Sequence, residues 1–143
     1  MKKIILLLLI ISATFNNFLF AQSQDEFAIK NILEKQTEAW NAGNIESFMQ
    51  GYWKNDSLKF IGKSGITYGW QKTLDNYKKN YPDAATMGKL DFTIIETKRL
   101  SVIYYFVVGK WHLARTSGDI GGYFTLLFKK IKKNWVIVAD HSS

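Results

Sequence analysis

The chain contains two histidines, His112 and His141, and no cysteine. Histidine ordinarily titrates near neutral pH, so each is a candidate acid or base. His141 ends the segment from Trp135 to His141, whose alternation places it with Trp135, Ile137 and Ala139. A titratable group on that apolar face, at the open end of a sheet, can take up or deliver a proton. A frayed terminal residue is the competing reading. His112 shares a face with Lys110, opposite Ile103, Tyr105, Val107, Gly109 and Trp111, and reads as structural or interfacial. Asp56 lies in the Asn55-Asp56-Ser57 turn, where an Asx turn is the plain reading and proton transfer the sharper one. Glu96 falls at a strand end. Asp140 alternates away from His141, so the two do not share a face in a regular strand.

The aromatics are the second signal. Trp40, Tyr52, Trp70, Tyr77 and Tyr81 lie on the apolar stripes of three helical segments. Such residues build ordinary cores. Their polar handles also need partners, and several converging on one sheet would line a pocket for an apolar ligand with a few polar groups. Tyr105 and Trp111, on the helix-covered face of a long strand, extend that set.

Other chemistries are excluded or unsupported. Without cysteine there is no thiol nucleophile, no cysteine-bound zinc or iron–sulfur centre and no disulfide framework. Two histidines rule out a histidine-rich metal site. Gly118-Asp119-Ile120-Gly121-Gly122 lacks the Lys-Ser/Thr of a phosphate loop and opens a strand rather than a helix. No metalloprotease helix or nucleophile elbow occurs, and no cofactor is implied. The net charge of +7 is spread thinly, without an arginine-rich stripe, so nucleic acid is not an expected partner.

The elements that must position these residues follow from periodicity. Asp25 to Asn41 has helical spacing and Gly43 is its expected C-cap. Ile45, Phe48, Met49 and Tyr52 form one stripe of a second, short helix after Asn44. Leu58 to Ile61 and Ile66 to Tyr68 flank a turn-rich Gly62–Gly65 loop. Trp70 to Tyr81 is a third helix, stopped by Pro82-Asp83. Strand-like segments follow: Lys89 to Lys98, Val102 to Leu113, Tyr123 to Ile131 and Trp135 to His141, with Arg115 to Gly122 as a loop. Helices first and strands joined by short turns afterwards predict an α+β domain with an antiparallel sheet. Val102 to Leu113 is apolar on both faces, so both must be covered. Helices cover one, and a second copy of the chain, or another sheet, is the expected cover for the other.

At the N-terminus Lys2 and Lys3 precede an unbroken apolar run, Ile4 to Ile11, too short to span a bilayer. Residues 1–21 read as a secretory signal peptide cleaved after Ala21. Residues 22–143 then form a single exported domain, periplasmic or secreted, without a stable membrane anchor.

The order of elements over residues 25–143 resembles the nuclear transport factor 2-like superfamily, in its SnoaL-like and ketosteroid-isomerase-like branch. The resemblance rests on the ending Trp135-Val136-Ile137-Val138-Ala139-Asp140-His141-Ser142-Ser143, on Trp40-Asn41-Ala42-Gly43-Asn44, on Gly69-Trp70 and on Gly122-Tyr123-Phe124-Thr125. It implies a cone-shaped roll, a strongly curved antiparallel sheet wrapped around N-terminal helices with a deep apolar pocket, commonly in a homodimer. It also implies a pocket-facing His141, with Trp40, Tyr52, Trp70 and Tyr77 near the mouth. The isomerase's Tyr–Asp oxyanion arrangement does not map onto this sequence. Three functions follow as expectations. The first is an exported protein binding a small apolar or amphipathic molecule. The second is a cofactor-free acid–base enzyme using His141, with Tyr52 or Asp56 as partner. The third is a non-catalytic association module.

Overall fold

A computed structural model describes residues 24–143; the expected signal peptide and its cleavage after Ala21 lie outside the described residues. Helix α1 (24–41) buries Ile29, Leu33, Gln36 and Trp40, a single helical stripe. It ends where Gly43 takes φ 75°, with Gly43 N–H donating to the Trp40 carbonyl and Asn44 N–H to that of Ala39. This paired bonding lets the chain reverse without orphaned carbonyls. Asn44 then caps α2 (Ile45–Phe48), its side chain accepting from the Ser47 N–H at 2.8 Å. A 3₁₀ turn (Met49–Gly51) carries the chain to Tyr52, which bridges in parallel to Ile137.

The hairpin of β1 (Lys59–Gly62) and β2 (Gly65–Tyr68) turns through Lys63 and Ser64. Helix α3 (Trp70–Asn80) buries Trp70, Thr73 and Leu74. A short α4 (Ala84–Met87) follows, which the sequence reading did not anticipate. Asp83 and Thr86 cap it reciprocally, and Met87 buries its one core contact. The strands β3 (Lys89–Arg99), β4 (Tyr104–Ala114), β5 (Ile120–Ile131) and β6 (Asn134–Ser142) complete the chain. Strand β5 thus starts inside the expected Arg115–Gly122 loop.

The six strands form one sheet in the order β2-β1-β6-β5-β4-β3. All strand pairs are antiparallel except β1–β6, which is parallel. The inner face of β4 is Tyr105, Val107, Gly109, Trp111 and Leu113, as the alternation predicts, and the helices cover it. Two irregularities bend the sheet, one at Ile95 in β3 and one at Val138 in β6, where a single extra residue breaks the pairing. The result is the expected α+β cone, a curved sheet folded around the N-terminal helices.

Candidate functional site

Helices α1 and α3 hold the open end of the sheet away from the core and leave a cavity of about 730 Å³. This is within the range that takes small organic ligands. Its walls are mainly apolar. Trp40, Phe48, Phe60, Tyr77 and Tyr81 come from the helical side and β1; Phe92, Trp111, Leu113, Phe124 and Leu126 come from the sheet. The helical-side aromatics brace one another edge to face: Trp40–Tyr81 at 4.8 Å, Phe48–Tyr77 at 5.3 Å and Phe60–Tyr77 at 5.6 Å between ring centroids.

Gly109 makes room for the sheet wall. A Cβ there would lie 2.4 Å from the Phe124 ring and 2.8 Å from the Thr93 carbonyl oxygen. Phe124 therefore rests on the bare backbone of β4 and meets Phe92 edge to face at 5.3 Å. Gly109→Ala is expected to push Phe124 into the cavity and to cost about 1–3 kcal/mol by overpacking. Urea unfolding measures the loss, and a variant as stable as the parent would contradict this account of the wall.

On the cavity wall at the buried end sits Asp140, 4% exposed. Its Oδ2 accepts the Tyr52 hydroxyl at 2.7 Å and its Oδ1 accepts the Ser142 hydroxyl at 2.8 Å. Burial raises its pKa to about 6; the hydrogen bonds from Tyr52 and Ser142 and the neighbouring His141 oppose that rise. Tyr77 lines the same wall beside Tyr52. Burial, and next the Asp140 charge, push both phenols well above the usual tyrosine range, so both stay protonated. The cavity thus offers one proton acceptor that titrates near neutrality, backed by two phenols and a serine.

His141 does not face the cavity. It is exposed, paired with Ile61 on β1 and Thr125 on β5. The extra residue at Val138 is the reason. Leu127 pairs with Ala139 but Phe128 pairs with Ile137, so inward parity passes from Trp135 and Ile137 to Asp140 and Ser142. No sequence signal marks that step, because Val136 to Ala139 is apolar on both faces. Asp140 was missed for the same reason.

Of the other expected site residues, Trp40, Tyr52, Tyr77 and Trp111 line the cavity and Trp70, Tyr105 and Asp56 do not. Trp70 is buried behind the wall, its indole N–H donating to the Met49 carbonyl at 2.9 Å. Tyr105 packs edge to face on Trp135 in the closed end of the cone, 5.2 Å between centroids. Asp56 is exposed, with its backbone beside Gly69. His112 points outward, as expected, and pairs with Asp119 at 3.1 Å. Among the described residues no group of three or more His, Asp or Glu could hold a metal ion.

The chain is similar to an NTF-2 like protein of unknown function from Shewanella oneidensis MR-1, a solved structure. The two are 47% identical with a TM-score of 0.80, over 83% of this chain and 98% of the other. The fold is also shared with LinA (13% identity, TM-score 0.73, 87% of this chain and 88% of the other). A ketosteroid isomerase-like protein from Erwinia carotovora atroseptica SCRI1043 shares it too (16% identity, TM-score 0.63, 81% and 92%). No protein-family model matches the chain, and no curated protein matches it. The cone-shaped fold, the element order read from the sequence and the near-complete match at 47% identity agree: the chain belongs to the NTF2-like family.

Proposed function

We propose that this is an exported pocket protein that binds a small, largely apolar molecule and receives a hydrogen-bond donor of that molecule at Asp140. The observation that carries the reading is the aromatic cavity of about 730 Å³ with a buried carboxylate in its wall. An apolar enclosure supplies affinity by removing hydrocarbon from water, and one buried polar group fixes orientation. The Lys2-Lys3 pair and the apolar run behind it support export. A homodimer through the outer sheet face completes the proposal. Ile95 and Tyr123 are exposed there, and Tyr104, Phe106 and Leu127 are only half-buried.

The reading is tested with 2-naphthol and by native mass spectrometry of gently purified protein. One naphthol per chain, displaced by any copurified molecule, is the expected result, on a particle of two chains. Absence of both naphthol binding and any copurified mass overturns the binding reading. A monomer at high concentration removes the dimer.

A second reading is favoured by the same carboxylate. A base whose pKa lies near 6 is suited to proton transfer at neutral pH. Asp140 would take the α-proton of a bound carbonyl compound, the electron pair moving to the carbonyl oxygen, and return a solvent proton to carbon. The test is deuterium exchange into the methyl group of 2-acetyl-6-hydroxynaphthalene in D₂O. The protein-dependent rate should rise with pH through about 6 and level off above it. A rate independent of pH, or one that survives in Asp140→Asn, ends this reading.

A further inference from the structure

Among the described residues lining the cavity only two side chains carry charge, and they have opposite sign: Asp140 and Lys63. They also sit at opposite depths. Asp140 is 4% exposed, whereas Lys63 is exposed in the turn between β1 and β2. Strand register sets the spacing between them. Asp140 pairs with Phe60 in the parallel β1–β6 ladder, and Lys63 lies three residues further along the same chain. At roughly 3.3 Å per residue the two levels are about 10 Å apart.

Phe60 and Tyr77 line the cavity between those levels, with Thr67, Asn76 and Asn80 on the α3 side. Phe60 lies against Gly62, where a Cβ would come 3.1 Å from its ring. The hairpin is tied to α3 where the Asn76 amide donates to the Thr67 hydroxyl at 3.1 Å. This bond holds the turn over the cavity mouth beside Asn80. No described residue pairs with the Lys63 ammonium.

Resting on the binding reading above, we propose that the ligand is an amphipathic carboxylic acid that enters hydroxyl end first. Its hydroxyl or equivalent donor meets Asp140, a rigid apolar body fills the aromatic walls, and its carboxylate stays at the mouth against Lys63. The reverse orientation would place two carboxylates together in an apolar enclosure and is disfavoured by their repulsion and desolvation. A neutral ligand would leave the rim ammonium unused. A cationic one would meet Lys63 on entry.

The test compares 2-naphthol with 6-hydroxy-2-naphthoate by titration calorimetry. The pair shares ring and hydroxyl and differs only in the distal carboxylate. At low ionic strength the hydroxynaphthoate should bind about threefold to fivefold more tightly, the size of a rim-exposed ion pair. That ratio should fall towards one at ~0.5 M salt, where exposed charges are screened. It should also fall towards one in Lys63→Gln, whose melting temperature certifies the fold. A ratio of one in the parent protein, or a ratio unchanged in Lys63→Gln, overturns the proposal while naphthol binding still supports the pocket. Failure of both probes to bind removes the pocket reading and this inference with it.

Discussion

Asp140→Asn is expected to stabilise the protein at pH 8 by about 3 kcal/mol. The folded chain holds the Asp140 carboxyl at a pKa of about 6 against 3.8 for the free side chain, chiefly because it is buried. The sign follows from proton binding. Between those two values the folded state holds more protons than the unfolded state, so stability falls as pH rises across that window. Above about pH 6 the full cost of a charged, buried carboxylate is present. A difference of about two pH units corresponds to about 3 kcal/mol. Asparagine keeps the shape, accepts the Tyr52 hydroxyl through its carbonyl oxygen and can donate to Ser142 through its amide. The gain should shrink to about half at pH 5 and to about a fifth at pH 4, where the native carboxyl is neutral but the unfolded one is still partly ionised. Urea unfolding of both proteins at the three pH values measures this. An asparagine variant no more stable than the parent at pH 8 would show that Asp140 carries no burial cost. The same substitution removes the proton acceptor, so any exchange at a bound carbonyl compound should stop.

Tyr52→Phe should act in the opposite direction. At pH 8 it leaves Asp140 Oδ2 charged, buried and without its 2.7 Å donor. A hydrogen bond to a charged group contributes about 1.5–3 kcal/mol, and a loss of that size is expected. Below about pH 5 Asp140 is mostly neutral and the loss should be smaller. Because the Tyr52 bond holds the Asp140 pKa down, its removal should move that pKa upward from about 6. Carboxyl titration followed by NMR reads the shift directly. In the Asp140→Asn background the phenylalanine substitution should cost less, since it then breaks a bond between neutral groups. An equal cost in both backgrounds, with no upward shift in the titration, would separate Tyr52 from the Asp140 charge.

Together the two variants describe a site kept at a stability cost. An apolar residue at 140 would relieve the desolvation and leave the Tyr52 hydroxyl without its acceptor. Retaining a charged group in an apolar cavity fits a role in recognising or exchanging a proton with whatever enters.

Residue patterns were enough to determine the elements other than α4, and their order. The stripes Ile29, Leu33, Trp40 and Ile45, Phe48, Met49, Tyr52 were readable because helical spacing survives in sequence and each stripe meets the core. The inward face of β4 was readable for a related reason. Lys110 and His112 mark one side as wet, so alternation had a polar reference. The glycines at 43 and 65 announced their turns because both take positive φ, which other residues adopt rarely.

What only the tertiary structure decided is the identity of the group that faces the cavity. Val136 to Ala139 offers hydrophobic side chains to both faces, so an extra residue at Val138 costs no obvious exposure and leaves no mark in the sequence. It reverses the parity of everything beyond it, exchanging His141 for Asp140. Whether an aromatic lines the cavity or packs behind it was equally undetermined. Trp40 and Trp70 both lie on the apolar stripes of their helices and both have a satisfied indole N–H, bonded to the Met87 and Met49 carbonyls respectively. Trp40 nonetheless lines the cavity and Trp70 does not. Spacing along the chain encodes which face of an element is apolar. The distance between elements, and a one-residue slip within a strand, are set by the packing of the whole molecule.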